Sequence, residues 1–276
     1  MKNVDHKTIN SFGDEWLRFD QSKLDSEESD NIFNDYFNIF PWHLIDLNSV
    51  GFDMGCGSGR WARKIASKVK ILNCVDPSDA IYIAKNNLKE FDNIIYFKLS
   101  VDDNIFEKNS QDFGYSLGVL HHLPNTKEAL ISCNNYLKPG APFLVYLYYS
   151  LDNRNIFYKY LWNISNYMRL LICKLPSTSK NYVTDLLAFL IYLPLTFFYR
   201  FLKLININTN NFPLSYYTNK SFYTMRTDSR DRFGTPLEKR FSKTEITKML
   251  ENANFENLIF CNNNPFWCVL AYKRAD

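Results

Sequence analysis

Val50-Gly51-Phe52-Asp53-Met54-Gly55-Cys56-Gly57-Ser58-Gly59-Arg60 is a short apolar strand that ends on an acid and meets three glycines in five positions. Trp61 to Ala66 continues it as the start of a helix. Glycine carries no side chain and tolerates positive φ, so such a loop lets a ligand press against bare backbone. Amides at the start of the following helix then point at that ligand. Two phosphate cradles are excluded by spacing. The dinucleotide fingerprint G-x-G-x-x-G needs its third glycine at position 60, where this chain has Arg60. A P-loop needs Gly-Lys-Ser/Thr, which the stretch lacks. A glycine-rich turn without a ligand is the plainer alternative.

Outward from the loop, Ile71 to Val75 reads as a second strand ending on Asp76-Pro77-Ser78. Asp76 lies about twenty residues beyond the glycines, where a doubly wound fold places its ribose-binding acid. One carboxylate can accept hydrogen bonds from both ribose hydroxyls; read alone, Asp76 would only cap a turn. Pro77 cannot extend the strand ladder, and Ser78 suits the N-cap of a helix through Ile83 and Leu88. Ile94 to Leu99 is a third strand, followed by Ser100-Val101-Asp102-Asp103. Asp112 to Leu117 is a fourth, running into Gly118-Val119-Leu120-His121-His122-Leu123-Pro124. A helix over Lys127 to Leu137 and a fifth strand over Pro142 to Tyr149 complete the series. Such alternation predicts a parallel sheet with helices on both faces.

The phrase from Asp53 to Gly59 resembles the first motif of class I S-adenosylmethionine-dependent methyltransferases, and Gly118 to Pro124 is similar to their fourth motif. The resemblance implies an α/β fold: a Rossmann-like, doubly wound, mostly parallel seven-stranded sheet with an antiparallel last strand. It implies S-adenosylmethionine as cofactor, held by Asp53, Gly55, Cys56, Gly57, Gly59, Asp76, Pro77, Ser100, Val101 and Gly118, with no metal. Ser100 stands where the family often has an acid for the adenine, with Asp102 and Asp103 as alternatives. The resemblance resumes at Phe241-Ser242-Lys243-Thr244-Glu245-Ile246, where Ser242 and Glu245 form a capping box. Ile246, Met249 and Leu250 follow at helical spacing. Ala253-Asn254-Phe255 then stands where the family has Ala-Gly-Phe, ahead of strands over Leu258 to Phe260 and Phe266 to Tyr272. The stretch from Tyr223 to Phe241 resembles a bacterial branch of the family that brings no acceptor with it.

Bulk properties agree with an ordinary cytoplasmic enzyme. The 276 residues are 46% apolar, enough for a sizeable core, and the net charge of +3 demands no nucleic acid or strongly acidic partner. Nucleic-acid amino-methylating enzymes usually carry Asp/Asn-Pro-Pro-aromatic after the fourth strand, where this chain reads Ser116-Leu117-Gly118-Val119. The Pro-Cys nucleophile of cytosine-C5 enzymes is also missing. We therefore expect no nucleic acid as partner. The six cysteines show no C-x-x-C pairing and read as small buried hydrophobes in a reducing compartment. The first residues lack the apolar core of a secretory signal.

Three regions are expected. Residues 1–46 form an N-terminal lid segment or simply pack on the sheet, 47–149 with 240–276 form the Rossmann-like domain, and 150–239 is a helical, aromatic insertion. The insertion is basic and apolar. Its run Leu186 to Tyr199 has fourteen uncharged residues interrupted by Pro194, short of the roughly twenty that span a bilayer. It is either a buried helical pair or, through 150–206, a peripheral contact with the inner face of the membrane. In Ser221 to Arg232, charges at 226, 228, 230 and 232 alternate and share one face if the segment is extended. Tyr223, Arg226, Asp228 and Arg230, with Trp267, are the candidate substrate-binding residues, since guanidinium groups suit phosphate or carboxylate. The alternative is a solvated, self-paired loop. The implied reaction is an in-line methyl displacement onto a small-molecule, sugar or lipid-linked acceptor, with O-methylation favoured. A general base near neutral pKa points to His121 and His122, with Asp228 as runner-up, although each histidine could instead only shape the pocket. The competing class is an S-adenosylmethionine-binding sensor or scaffold without transfer activity.

Overall fold

The computed structural model describes residues 3–209, 212–263 and 265–275. The chain opens with helices α1 (His6–Arg18) and α2 (Ser26–Phe37). Strand β1 (Val50–Met54) leads through the glycine loop into the short helix α3 (Ala62–Ile65), and β2 (Ile71–Val75) into α4 (Ala80–Asn87). Strands β3 (Ile94–Phe97) and β4 (Phe113–Leu117), helix α5 (Thr126–Tyr136) and strand β5 (Pro142–Tyr146) follow. The insertion contributes α6 (Ile156–Ile172), α7 (Ser177–Leu187), α8 (Leu193–Leu204) and α9 (Phe222–Gly234). Helix α10 (Lys243–Asn252) and strands β6 (Phe255–Phe260) and β7 (Val269–Lys273) end it.

The sheet order is β3-β2-β1-β4-β5-β7-β6. Strands β1 to β5 pair in parallel, while β7 runs antiparallel to both β5 and β6. This is the predicted doubly wound sheet with an antiparallel last strand. Its centre is fixed by a reciprocal fit: Gly51 faces Phe113 and Phe52 faces Gly114 across the β1–β4 pair. A Cβ on Gly51 would lie 2.2 Å from the Phe113 ring, and one on Gly114 equally close to Phe52. Each aromatic ring therefore lies where its partner has no side chain. The aromatic run Phe33 to Trp42, placed in the lid by sequence, packs into the core: Phe37 stacks on Phe33 at 4.3 Å and meets Tyr115 edge-on at 5.4 Å.

The chain divides into two compact units. The first holds the sheet and is built from the chain up to Gln21, Ile32–Asp152 and the chain from Leu237 on. The second comprises Ser22–Asn31 and Asn153–Pro236. In the second unit the structure departs from the sequence-based expectation twice. Pro194 does not interrupt the helix: a π-helical turn over Ala188–Tyr192 joins α7 to α8, with the proline in the first turn of α8. The result is a 28-residue helix, Ser177–Leu204, long and apolar enough to cross a membrane and with only 28% of its most apolar stretch buried. Charged residues at Asp185 and Arg200 bounded the uncharged run in the sequence but do not bound the helix. Second, residues 222–234 are helical rather than extended, with Ser221 accepting from Thr224 N as N-cap. Steps of two residues turn by about 200° in a helix, so the four alternating charges do not share a face.

Candidate active site

The strand order reverses between β1 and β4, and ligands of open α/β sheets bind outside the carboxyl ends of the strands at such a point. The loops after these two strands meet there. A Cβ on Gly55 would collide with the Val119 side chain at 2.4 Å, so the glycine loop and the β4 loop touch with no room for a side chain between. Ser116 Oγ donates to Met54 O at 2.8 Å and locks the two strand ends together.

Three amides of the glycine loop are bonded within the fold. Gly55 N and Cys56 N both donate to Val75 O, at 2.7 and 3.0 Å, and Gly57 N donates to Asp76 Oδ2 at 3.0 Å. The short α3, four residues long, adds little dipole. Polarity comes instead from two acids at the strand ends. Asp76 is held by the loop and by Ser78, whose N and Oγ donate to its Oδ1 at 2.8 and 2.6 Å. Burial pushes its carboxyl up, opposed by these hydrogen bonds. Pro77 makes the tight turn between Asp76 and Ser78. Asp53, at the end of β1, is buried and neither carboxylate oxygen has a hydrogen-bond partner in the structure. Burial lifts it to about 8; Tyr115 and Arg60 pull it down, and Asp76 adds repulsion. An orphaned buried carboxylate is costly unless something polar completes it.

Gly118, φ +79°, has open space where a Cβ would stand, whereas Gly57, φ +52°, would meet the Trp16 indole at 2.9 Å. The two glycines thus differ in purpose: one faces a void, the other lets α1 lie on the loop. Arg60 stacks over both Trp61 at 4.2 Å and Trp16 at 5.5 Å. After β3, Ser100 and Val101 are buried; Ser100 N donates to Asp103 Oδ2, and Val101 O accepts from Tyr136 Oη. Asp102 Oδ2 accepts from Asn3 N at 2.9 Å, while its buried Oδ1 has no partner. Each of the two alternative acids accepts a backbone amide through its Oδ2.

His121 and His122 lie on the 3₁₀ turn Leu120–His122 after β4. His121 is fully buried between His122 and Tyr148, each ring 3.9 Å away, and neither of its nitrogens is hydrogen-bonded. Burial, with His122 and Arg240 adding to it, holds its pKa well below the usual histidine value, so it is neutral. His122 Nδ1 lies 2.6 Å from Leu237 O. A carbonyl only accepts, so Nδ1 carries the proton and Nε2 is the basic nitrogen of the neutral ring. Sequence reading missed the groups around this pair. Tyr148 stacks on His121, Arg240 lies 5.1 Å over the Tyr148 ring, and Tyr146 meets Tyr36 edge-on at 5.3 Å. Tyr146 and Tyr148 read simply as strand residues, and Arg240 as a linker charge, because no local pattern announces their meeting.

The substrate candidates are divided between the two units. Trp267 belongs to the first unit, where its Nε1 donates to Asp152 Oδ1 at 2.8 Å and its ring packs on Phe266. The others belong to the second. Arg226 makes a two-pronged bond to Asp185, at 3.0 and 2.8 Å, and Arg230 is wholly buried with Nε on Asn181 Oδ1 at 3.0 Å. Asp228 accepts from Tyr217 Oη at 2.9 Å, and the carbonyl of half-buried Tyr223 accepts from Thr227 Oγ1. These guanidinium groups face into the unit that they hold together. Among the described residues no cluster suited to a metal ion occurs.

Residues 52–145 match the family described as methyltransferase domain. Over 106 residues, 37% of this chain, the sequence is 28% identical to a ubiquinone biosynthesis O-methyltransferase of Saccharophagus degradans, of which 43% is covered. Over 108 residues, again 37%, it is 31% identical to a tRNA U34 carboxymethyltransferase of Pseudoalteromonas atlantica, of which 33% is covered. The chain thus spans less than half the length of these curated relatives. The fold is similar to that in a complex of the Haloferax volcanii Trm112 activator with a methyltransferase, with TM-score 0.53 and 11% identity over 95% of this chain and 97% of that one. A Bacillus halodurans protein described as a methyltransferase gives 0.50 and 15%, over 83% and 70%. One relative is named for tRNA, so the expected exclusion of nucleic acid gains no support. The matched stretch runs from β1 to β5 and carries both glycine-bearing loops, so residues 52–145 of this chain are similar to a methyltransferase domain.

Proposed function

We propose that this protein transfers a methyl group to the hydroxyl of a small-molecule, sugar or lipid-linked acceptor. One observation carries the site assignment: Asp53, buried with both oxygens unpartnered, stands beside an Asp76 tied to Gly57 and near the open side of Gly118. Residues of this kind fit a ligand with a ribose and a cationic tail. Asp76 would take the ribose, Asp53 and the Gly118 backbone the methionine end, and Asp102 or the Ser100–Val101 backbone the adenine. Bound there, S-adenosylmethionine supplies a methyl group already activated by its sulfonium. What remains for the chain is to align the acceptor, exclude water and take up a proton. His122 Nε2 is suited to receive the acceptor's hydroxyl proton, because Leu237 O fixes its tautomer. α1 lies over the loop through Trp16 and in this reading shields the cofactor from solvent.

The test is release of S-adenosylhomocysteine from the purified chain, S-adenosylmethionine and fractionated extracts, with Asp76→Ala as control. Turnover with a small-molecule or lipid fraction supports the reading. Turnover with RNA alone moves the acceptor to nucleic acid. Tight cofactor binding without release from any fraction makes the protein a sensor.

A further inference from the structure

The second unit turns long apolar stretches of its helices outward and buries charged groups, and we infer that its α6 and α7–α8 helices rest on an anionic lipid surface. In α6 the exposed apolar residues include Ile156, Tyr160, Ile164, Tyr167 and Leu171, which repeat every three or four residues along one face, with Ile156 86% exposed. Its inward positions include polar groups beside the apolar Ile172: Ser165 Oγ accepts from Arg232, and buried Arg169 donates to Thr235 O and Pro236 O at 2.9 and 2.8 Å. The long helix repeats the pattern. Tyr182, Leu186, Phe189, Phe197, Phe201 and Leu204 face outward, Leu204 at 81% exposure, while Thr184, Ala188, Thr196 and Tyr199 face in. Between the helices lies α9, whose Arg226 and Arg230 are bound to Asp185 and Asn181, and Lys180 donates to Gly234 O.

A water-soluble helix pair shows the opposite arrangement, leucine and phenylalanine in and polar groups out. Scattered exposed apolar residues are ordinary, but apolar stripes along two long helices are not. Charge decides the occupant. Residues 153–206 carry seven Lys and Arg against one acid, Asp185. Lys159, Lys174, Arg200 and Lys203 are exposed. Lys159 falls by helical spacing beside the α6 stripe rather than within it, and Lys203 lies outside the α8 stripe. A symmetric partner copy would bring these cations against their own kind. An anionic bilayer attracts them while the stripes enter the acyl boundary, and exposed Tyr160, Tyr167 and Tyr182 suit the headgroup level. Within the unit, Asp185, Asn181 and Gly234 O already engage Arg226, Arg230 and Lys180, whereas the outer apolar stripes are exposed.

Flotation of the purified full chain with phosphatidylcholine vesicles, with and without phosphatidylglycerol, tests this and needs neither cofactor nor acceptor. We expect flotation with the phosphatidylglycerol vesicles at low salt. Lys159→Glu with Lys174→Glu and Lys203→Glu should lower that binding about tenfold. Phe197→Glu with Phe201→Glu should abolish it on both vesicles with helicity unchanged by circular dichroism, and if that variant does not fold, the lysine variant still decides. Failure of the wild-type chain to float at low salt overturns the inference. So does concentration-dependent self-association that the phenylalanine substitutions dissolve, which would make a second copy the occupant.

Discussion

Asp53 sets how the site responds to protons. With Asp53 at about 8 when folded and near 3.9 when unfolded, the folded chain binds the extra proton between those values. Stability from this group therefore falls as pH rises through that window and levels off above it. Asp53→Asn should flatten the corresponding slope in melting temperature against pH. A cationic ligand beside Asp53 favours the carboxylate, so cofactor binding near pH 7 should release a proton. Calorimetry in buffers of different ionisation enthalpy should detect it, and Asp53→Asn should erase it. The two histidines separate by substitution. His122→Asn should lower turnover by about 10² or more with cofactor affinity unchanged, as for loss of a general base. His121→Phe replaces a buried ring with no hydrogen bonds by an apolar one, and the melting temperature should hold or rise.

At the scale of elements, the glycines make contrasting predictions. Gly114→Val drives a side chain into the Phe52 ring and should destabilise the sheet by about 3 kcal/mol or more, read by chemical denaturation. Gly118→Ala meets nothing but holds φ at +79°, so it should cost about 1–2 kcal/mol in stability while filling the space next to the loop. A drop in cofactor affinity larger than the drop in stability would mark that space as the ligand's. The sheet was legible because strand and helix periods alternate, and because glycines at 55, 57 and 59 followed by Asp76 have few other uses. The capping box Ser242–Glu245 was legible too, and forms as read. Helix α9 was not. Alternating charge mimics a strand, and what makes it helical, Asp185, Asn181 and Thr184 on α7, lies about forty residues away in the chain. Likewise, the bonding of the loop amides to Val75 O depends on β2 lying beside β1, which no local spacing reveals.

Across the whole molecule, the two units have different reasons to be stable. The first buries a large apolar core on both faces of its sheet. The second has a small apolar cluster, Ile172, Tyr192, Met225 and Phe233, and relies on ion pairs and on guanidinium bonds to carbonyls. A ligand that binds only the native form stabilises what it touches. S-adenosylhomocysteine should therefore slow amide exchange in β1, β4 and α1 and leave α6 to α8 unchanged, as hydrogen-exchange mass spectrometry can show.

The polar interior of the second unit has a consequence for its response to solvent. Burial of apolar surface loses its advantage as the medium becomes less aqueous, whereas a hydrogen-bonded ion pair such as Arg226–Asp185 gains strength as the local dielectric constant falls. Moderate alcohol or detergent micelles should thus loosen the sheet and tighten the helices. A medium that loosens one unit of this chain should then strengthen the other.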